Sequence, residues 1–227
     1  MTPSLLQFNV PPYKLSGTVY GTLLNHRAVL ESLGDSVDQA PYKGAPKAPV
    51  LYMKPRNTLI AHGKTVSLPE GTPAFQVGAS LGLVIGRTAC RVPAQSALDF
   101  VAGYVVVNDL SIPHESFYRP SLRFKAVDAT CVIGPAVVPR AIVKNPDELA
   151  VRVYVDGELV QSSATSGMVR PAAQLLADVT EFMTLSAGDV LLLGVAQGAP
   201  LARAGQRIAV EIEGIGRLET ELGTEQS

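Results

Sequence analysis

The chain has 227 residues, enough for one large domain or two small ones at roughly 100–200 residues each. Lys and Arg number 19 against 20 Asp and Glu, a net charge of −1, which excludes the basic excess of a nucleic-acid binder. Hydrophobic residues at 47% exclude disorder, while 17% charged residues with 20 Gly and 17 Pro point to many short strands and a buried subunit interface.

No apolar run approaches the ~18 residues of a membrane span. The N-terminal stretch lacks the basic start and long apolar core of a secretory signal, so a soluble cytoplasmic protein is expected. Cys90 and Cys131 are too few for a disulfide framework or a zinc site. Both lie in apolar stretches and are expected to be buried free thiols.

In chain order, residues 14–34 are predicted to form a strand leading into a short helix. Asn25 is its expected N-cap, Ala28, Val29 and Leu33 its apolar face, and Gly34 its stop. Residues 35–49, with Pro41, Pro46 and Pro49, form a loop long enough to be a mobile cover. Short strands are predicted at 50–53 and 58–60. The glycine-bounded apolar run at 78–86 is expected to be a strand buried on both faces. Ser96 and Asp99 resemble a capping box opening a helix at 97–103. A second buried strand at 104–110 ends in the polar pair Asn108 and Asp109.

Further on, alternating residues at 151–161 flank Asp156-Gly157, a strong hairpin signal. Pro171 opens an amphipathic helix with Ala172, Leu175, Leu176, Val179, Phe182 and Met183 at helical spacing, running to about Leu185. Strands at 190–193, 207–213 and 217–222 close the chain. Many strands with about three helices and no regular β-α alternation define an α+β fold.

No nucleophile elbow, Walker A loop or zincin motif is present. His26, His62 and His114 lie far apart, and each reads as a structural residue or, for His26 beside the long loop, as a group entering a site when the loop closes. Asp109 at the end of an apolar strand reads as a turn-forming carboxylate or as a site residue. Lys125 reads as an amphipathic surface lysine or as part of a site. Lys54 and Arg56 form a compact cationic pair, extended by Arg119 and Arg123. If these cations converge, their ligand is a small dicarboxylate.

Six stretches in order resemble the fumarylacetoacetate hydrolase family: YMKPRNTLI at 52–60, LGLVIG at 81–86, YVVVNDLS at 104–111, KAVDATCVIGP at 125–135, Gln161 with Thr165 and Met168, and MTLSAGDVLLLG at 183–194. Other stretches look closer still to one branch, the isomerase/decarboxylases of 4-hydroxyphenylacetate (homoprotocatechuate) degradation, and to their N-terminal half or the equivalent separate subunit. The resemblance implies a fold of layered, rolled β-sheets with a few helices, dimeric or larger. It covers nearly the whole chain, which makes one structural domain with 1–49 as N-terminal lid segment and 50–227 as the catalytic-type part.

The resemblance further implies Mg²⁺ or Mn²⁺ held by a Glu-x-Glu pair and a later Asp, with an enolate stabilised during C–C cleavage, decarboxylation or tautomerisation. Residue by residue, the family's Asp matches Asp109 and its Lys matches Lys125, the catalytic candidate. Lys54, Asp128 and Gln161 also match. Lys54, Arg56, Arg119 and Gln161 are the expected substrate-binding residues, and His26 the proton shuttle. The Glu-x-Glu positions hold Gly78 and Ser80. The usual G-T-P reads Gly194-Val195-Ala196, the lid His position holds Arg27, and the lid Glu falls on Leu30 beside Glu31.

One carboxylate in place of three removes most of the charge that holds Mg²⁺, so weak or absent metal binding is expected at this chain's own site. The implied substrates are 5-carboxymethyl-2-oxo-hex-3-ene-1,7-dioate for decarboxylation and 2-hydroxyhepta-2,4-diene-1,7-dioate for isomerisation. The implied assembly is a homodimer or a heteromer with a metal-bearing family member. The competing readings are a non-catalytic, metal-deficient partner subunit, and a hydrolase or hydratase of a related keto acid.

Overall fold

The computed structural model describes residues 9–10, 13–15, 18–114 and 122–224. A small antiparallel pair, β1 (Asn9–Val10) and β2 (Tyr13–Lys14), precedes β3 (Val19–Leu23) and the short helix α1 (Arg27–Glu31). Then come β4 (Val50–Lys54), β5 (Leu59–Ala61), β6 (Thr65–Leu68), β7 (Phe75–Gln76), β8 (Ala79–Ile85) and β9 (Val101–Asp109). Helix α2 (Leu122–Lys125) leads to β10 (Cys131–Ile133), β11 (Val138–Pro139) and the hairpin of β12 (Ala150–Val155) and β13 (Glu158–Ala164). Helix α3 (Ala172–Phe182), β14 (Val190–Leu192), β15 (Leu201–Ala202), β16 (Arg207–Ile212) and β17 (Gly216–Thr224) complete the chain.

Two large sheets carry the fold. One runs β4-β3-β14-β8-β9-β10-β5, with β11 added on β9. The other runs β13-β12-β16-β17-β6. The α+β expectation holds, with strands predominating.

The first sheet is rolled. Its two edge strands, β4 and β5, are joined through only Pro55 and the 3-10 turn Arg56–Thr58. A four-residue link brings opposite edges of the sheet close together. Inside the roll lie Val19, Leu59, Val84, Val105, Val107, Ile133, Val190 and Leu192. The alternate residues of the same strands, including Leu81, Leu83, Tyr104 and Val106, face outward onto the second sheet and α3. Both faces are dry, which is why 78–86 and 104–110 read as continuous apolar runs. Gly82 sits where strands crowd: an added Cβ would fall 2.9 Å from both Val105 and Val190 methyl groups.

The Asp156-Gly157 hairpin forms as expected, with Val155 opposite Glu158 and both loop residues at positive φ (52° and 88°). Several boundaries differ from expectation. The N-cap of α1 is His26, and Asn25 instead ties the chain: its Nδ2 donates to Leu193 O (2.8 Å) and Arg170 O (3.1 Å), and its Oδ1 accepts from Arg170 N (3.0 Å). Gly34, at φ 50°, opens a 3-10 turn, Gly34–Asp38.

No capping box forms at Ser96. Ala94–Phe100 is a 3-10 turn, Asp99 pairs with Arg140, and β9 already begins at Val101 because that segment adds to the buried sheet. Helix α3 ends at Phe182 rather than Leu185, since Leu185 pairs with Ala89 in an isolated bridge. Cys131 is buried as expected, but Cys90 is exposed. Among the described residues, no helix is long and apolar enough to cross a membrane.

Asn25 is buried and bonds three backbone groups, of which Leu193 O also accepts from Thr22 Oγ1. Asn25→Ala is expected to lower stability by about 1–3 kcal/mol, measured by urea unfolding, through loss of the side-chain partner of the Arg170 carbonyl and N–H.

Candidate functional site

The site lies at one end of the roll, where β4, β9 and α2 terminate together. Residues two apart on a strand share a face, so Tyr52 and Lys54 both point inward from β4 while Met53 between them is 47% exposed. Asp109, at the end of β9, continues the inward row of Val105 and Val107. Lys125 ends α2 and reaches the same point.

The result is an ion cluster centred on Asp109. Lys54 Nζ stands 2.9 Å from Asp109 Oδ1, and Lys125 Nζ donates to Oδ2 at 2.8 Å. The Tyr52 hydroxyl donates to Oδ2 as well. Lys54 has three protons, and they go to Leu110 O (2.9 Å), Lys125 O and Thr130 Oγ1 (3.0 Å). Its contact with Oδ1 is therefore coulombic, and Oδ1 has no hydrogen bond among the described residues. The Lys125 ammonium also lies 4.6 Å from the centre of the Tyr52 ring.

Burial alone would push the Asp109 carboxyl up. The charges of Lys125 and Lys54, with hydrogen bonds from Lys125 and Tyr52, outweigh it and hold the group at about 2. Burial, the Asp109 charge and the hydrogen bond to it push the Tyr52 phenol well above its ordinary value, so it stays a donor. Burial likewise lifts the Cys131 thiol to about 12.

These residues do not fit a divalent cation. The cluster's one carboxylate already faces two ammonium groups and a phenol. An added Cβ on Gly78 would lie 2.3 Å from Asp109 O, so the backbone closes over the first Glu position. Ser80 Oγ accepts from Gly194 N at 3.2 Å. Among the described residues no group of three His, Cys, Asp or Glu side chains is placed to hold a metal.

Beside the cluster opens a cleft of about 420 Å³. Tyr52, Gly78, Ser111, His114 and Lys125 line one wall. Val29 and Leu33 of the α1 segment, with the strip 195–199, line the other. The His114 ring stacks on Phe124 with centroids 5.0 Å apart. A larger depression of about 540 Å³ on the second sheet lies away from these groups, and its Arg217 and Glu219 pair with each other.

Of the expected site residues, Asp109, Lys54 and Lys125 converge, and Lys125 alone of them lines the cleft. Arg56 is exposed on its 3-10 turn, as is Arg123 on α2. Gln161 sits one step back: its Nε2 donates to the carbonyl of Gln197, a cleft residue. Asp128 accepts from Asn57 Nδ2 at the surface. Arg119 lies outside the described residues. His26 does not line the cleft; its ring packs where a Cβ on Gly167 would be. Burial and the neighbouring Arg27 charge lower its basicity, with Glu31 opposing. Sequence reasoning missed Tyr52 and His114 as site residues. Tyr52 could have been found from its spacing of two from Lys54.

Residues 18–222 match the fumarylacetoacetate (FAA) hydrolase C-terminal family. The chain belongs to that family. It is 37% identical over 212 residues to the 4-hydroxyphenylacetate degradation bifunctional isomerase/decarboxylase of Escherichia coli, covering 93% of this chain and 48% of that protein. The chain thus spans about half the length of the curated relatives it matches first. The solved 5-carboxymethyl-2-hydroxymuconate delta-isomerase of Mycobacterium smegmatis superposes with a TM-score of 0.79 at 28% identity, covering 94% of this chain and 81% of that one. Fumarylpyruvate hydrolase of Pseudomonas aeruginosa, solved with Mn²⁺ and pyruvate, gives 0.79 at 26% identity, with coverage of 94% and 91%. The metal in that relative has no counterpart donor set among the described residues here.

Unfolded, the Asp109 carboxyl titrates near ~3.9. Its folded value is depressed, so its stabilisation is full above that pH and is lost as pH falls toward 2. Acid unfolding should show a loss of about 2 kcal/mol between pH ~4 and ~2 that Asp109→Asn lacks. Lys54→Met, which leaves a buried carboxylate short of a partner, is expected to cost about 3–5 kcal/mol at pH 7.

Proposed function

We propose that this chain is the metal-free half of a 4-hydroxyphenylacetate isomerase/decarboxylase and works in the cytoplasm with a metal-bearing family member. The observation that carries this reading is the isolation of Asp109: the family framework is kept across the chain, while Gly78 and Ser80 stand where the Glu pair would be and leave Asp109 the one carboxylate of its cluster. Coverage of only about half of each matched isomerase/decarboxylase supports a second, complementary half.

In this reading the joined enzyme decarboxylates 5-carboxymethyl-2-oxo-hex-3-ene-1,7-dioate and isomerises 2-hydroxyhepta-2,4-diene-1,7-dioate. Both steps pass through an enol or dienol with negative charge growing at the keto-acid end. An ammonium fixed at the wall of a partly dry cleft opposes that charge without having to reorganise. Lys125 is the residue so placed. His114, on the same wall, is better placed than His26 to carry a proton. Arg119 is the candidate for a second substrate carboxylate, and Gln161 acts by holding Gln197. The segment 1–49 serves as the cover, a role supported by Val29 and Leu33 on the cleft's far wall.

Purified chain with Mg²⁺ should give no turnover of the hepta-dienedioate alone and should gain turnover when mixed with a homologue carrying an intact Glu-x-Glu pair. Full turnover by the chain alone would overturn the reading.

A further inference from the structure

The ion cluster carries a charge that its own members do not balance. Lys54 and Lys125 bring two ammonium groups to one carboxylate, and Tyr52 remains neutral. Among the described residues one positive charge is therefore left at the end of the roll, largely out of water. Of the cluster's three charged members only Lys125 lines the cleft: its side chain is 7% exposed, against 0% for Lys54 and Asp109. Among the described residues its Nζ gives one hydrogen bond, to Asp109, of the three it can make. The described lining of the cleft holds no Asp or Glu. Leu24, Val29, Leu33 and Ala196 give its lining apolar surface beside the polar Ser32 and Gln197, which hydrogen-bond each other.

We propose that this cleft is a metal-independent receptor for a small carboxylate with an apolar body. The ligand's carboxylate pairs with Lys125 Nζ and neutralises the cluster, and its body lies against Val29 and Leu33. A divalent cation selects ligands that chelate it, such as an α-keto acid. An ammonium is a point charge and needs only the carboxylate. The keto oxygen is therefore dispensable at this site. This goes beyond the subunit reading above, because it concerns what the chain's own cleft binds.

The test is calorimetric titration of the whole chain in EDTA with acetate, butyrate and hexanoate, and with 2-oxohexanoate and the uncharged hexanamide for comparison. Hexanoate should bind in EDTA, within about threefold of 2-oxohexanoate, and hexanamide should not bind. Affinity should rise about three- to fourfold for each methylene buried. Lys125→Met should weaken hexanoate at least about tenfold, the loss of one charge-assisted contact. Because that variant disturbs Asp109, Val29→Asp gives a second readout. It sits on α1, which has no buried residue, and places a repelling carboxylate on the far wall. It should weaken hexanoate by a similar factor with an unchanged circular dichroism spectrum. Binding that requires Mg²⁺ or Mn²⁺, binding of the keto acid alone, or no carboxylate binding by the folded chain would each overturn the proposal. Turnover on mixing with a metal-bearing homologue is read separately, so either proposal can fail while the other stands.

Discussion

The structure depends on one buried carboxylate held between two lysines. Asp109 has no exposed surface, and taking its charge out of water is costly unless that charge is answered. Lys54 and Lys125 answer it from two other segments, and Tyr52 adds a hydrogen bond from the same strand as Lys54. These groups lie 16 to 57 residues from Asp109 along the chain. They fasten β4, at the edge of the rolled sheet, to β9 in its interior and to the end of α2. Lys54 extends the fastening through Leu110, Lys125 and Thr130. The same cluster closes the roll and sets the electrostatics of the cleft beside it.

Lys54 and Lys125 stand at positions the family resemblance also assigns to lysines, so what sets this chain apart is Gly78 and Ser80 at the Glu-x-Glu positions. The substitutions around Asp109 form a connected set in that light. Gly78 lets the backbone lie directly on Asp109, whose N–H donates to Gly78 O at 2.8 Å. Ser80 turns to the backbone of Gly194, and Thr22 and Asn25 tie the neighbouring Leu193 carbonyl to the N-terminal segment. Of the two Glu-x-Glu positions, Gly78 has no side chain and Ser80 is engaged in a hydrogen bond within the chain. The cleft stays open, with its charge supplied by Lys125 alone among the described residues that line it.

Much of this was legible in the sequence, for identifiable reasons. Strands buried on both faces produce unbroken apolar runs, so β8 and β9 could be read directly, and Asp156-Gly157 announced its hairpin. Asp109 and Lys125 stood out as charges set in apolar surroundings, and Lys54 as half of a cationic pair with Arg56. What stayed hidden was long-range. Two-residue strands such as β7 and β15 exist only because each finds the other across the fold. Asn25 has the chemistry of an N-cap, and only the proximity of Leu193 and Arg170 gives it a different task. Ser96 and Asp99 satisfy a helix signal locally, yet the sheet claims the residues that follow. Arg56 and Arg123 resembled Lys54 and Lys125 in composition, but only strand alternation and the short α2 decide which cations turn inward.

The central claim is that Asp109, with Gly78 and Ser80 in place of the Glu pair, does not hold a metal in this chain. Its most direct test is elemental analysis of the purified protein after equilibrium dialysis against millimolar Mg²⁺ or Mn²⁺. Bound metal far below one ion per chain is the result this account predicts. One ion per chain, lost on Asp109→Ala, would contradict it.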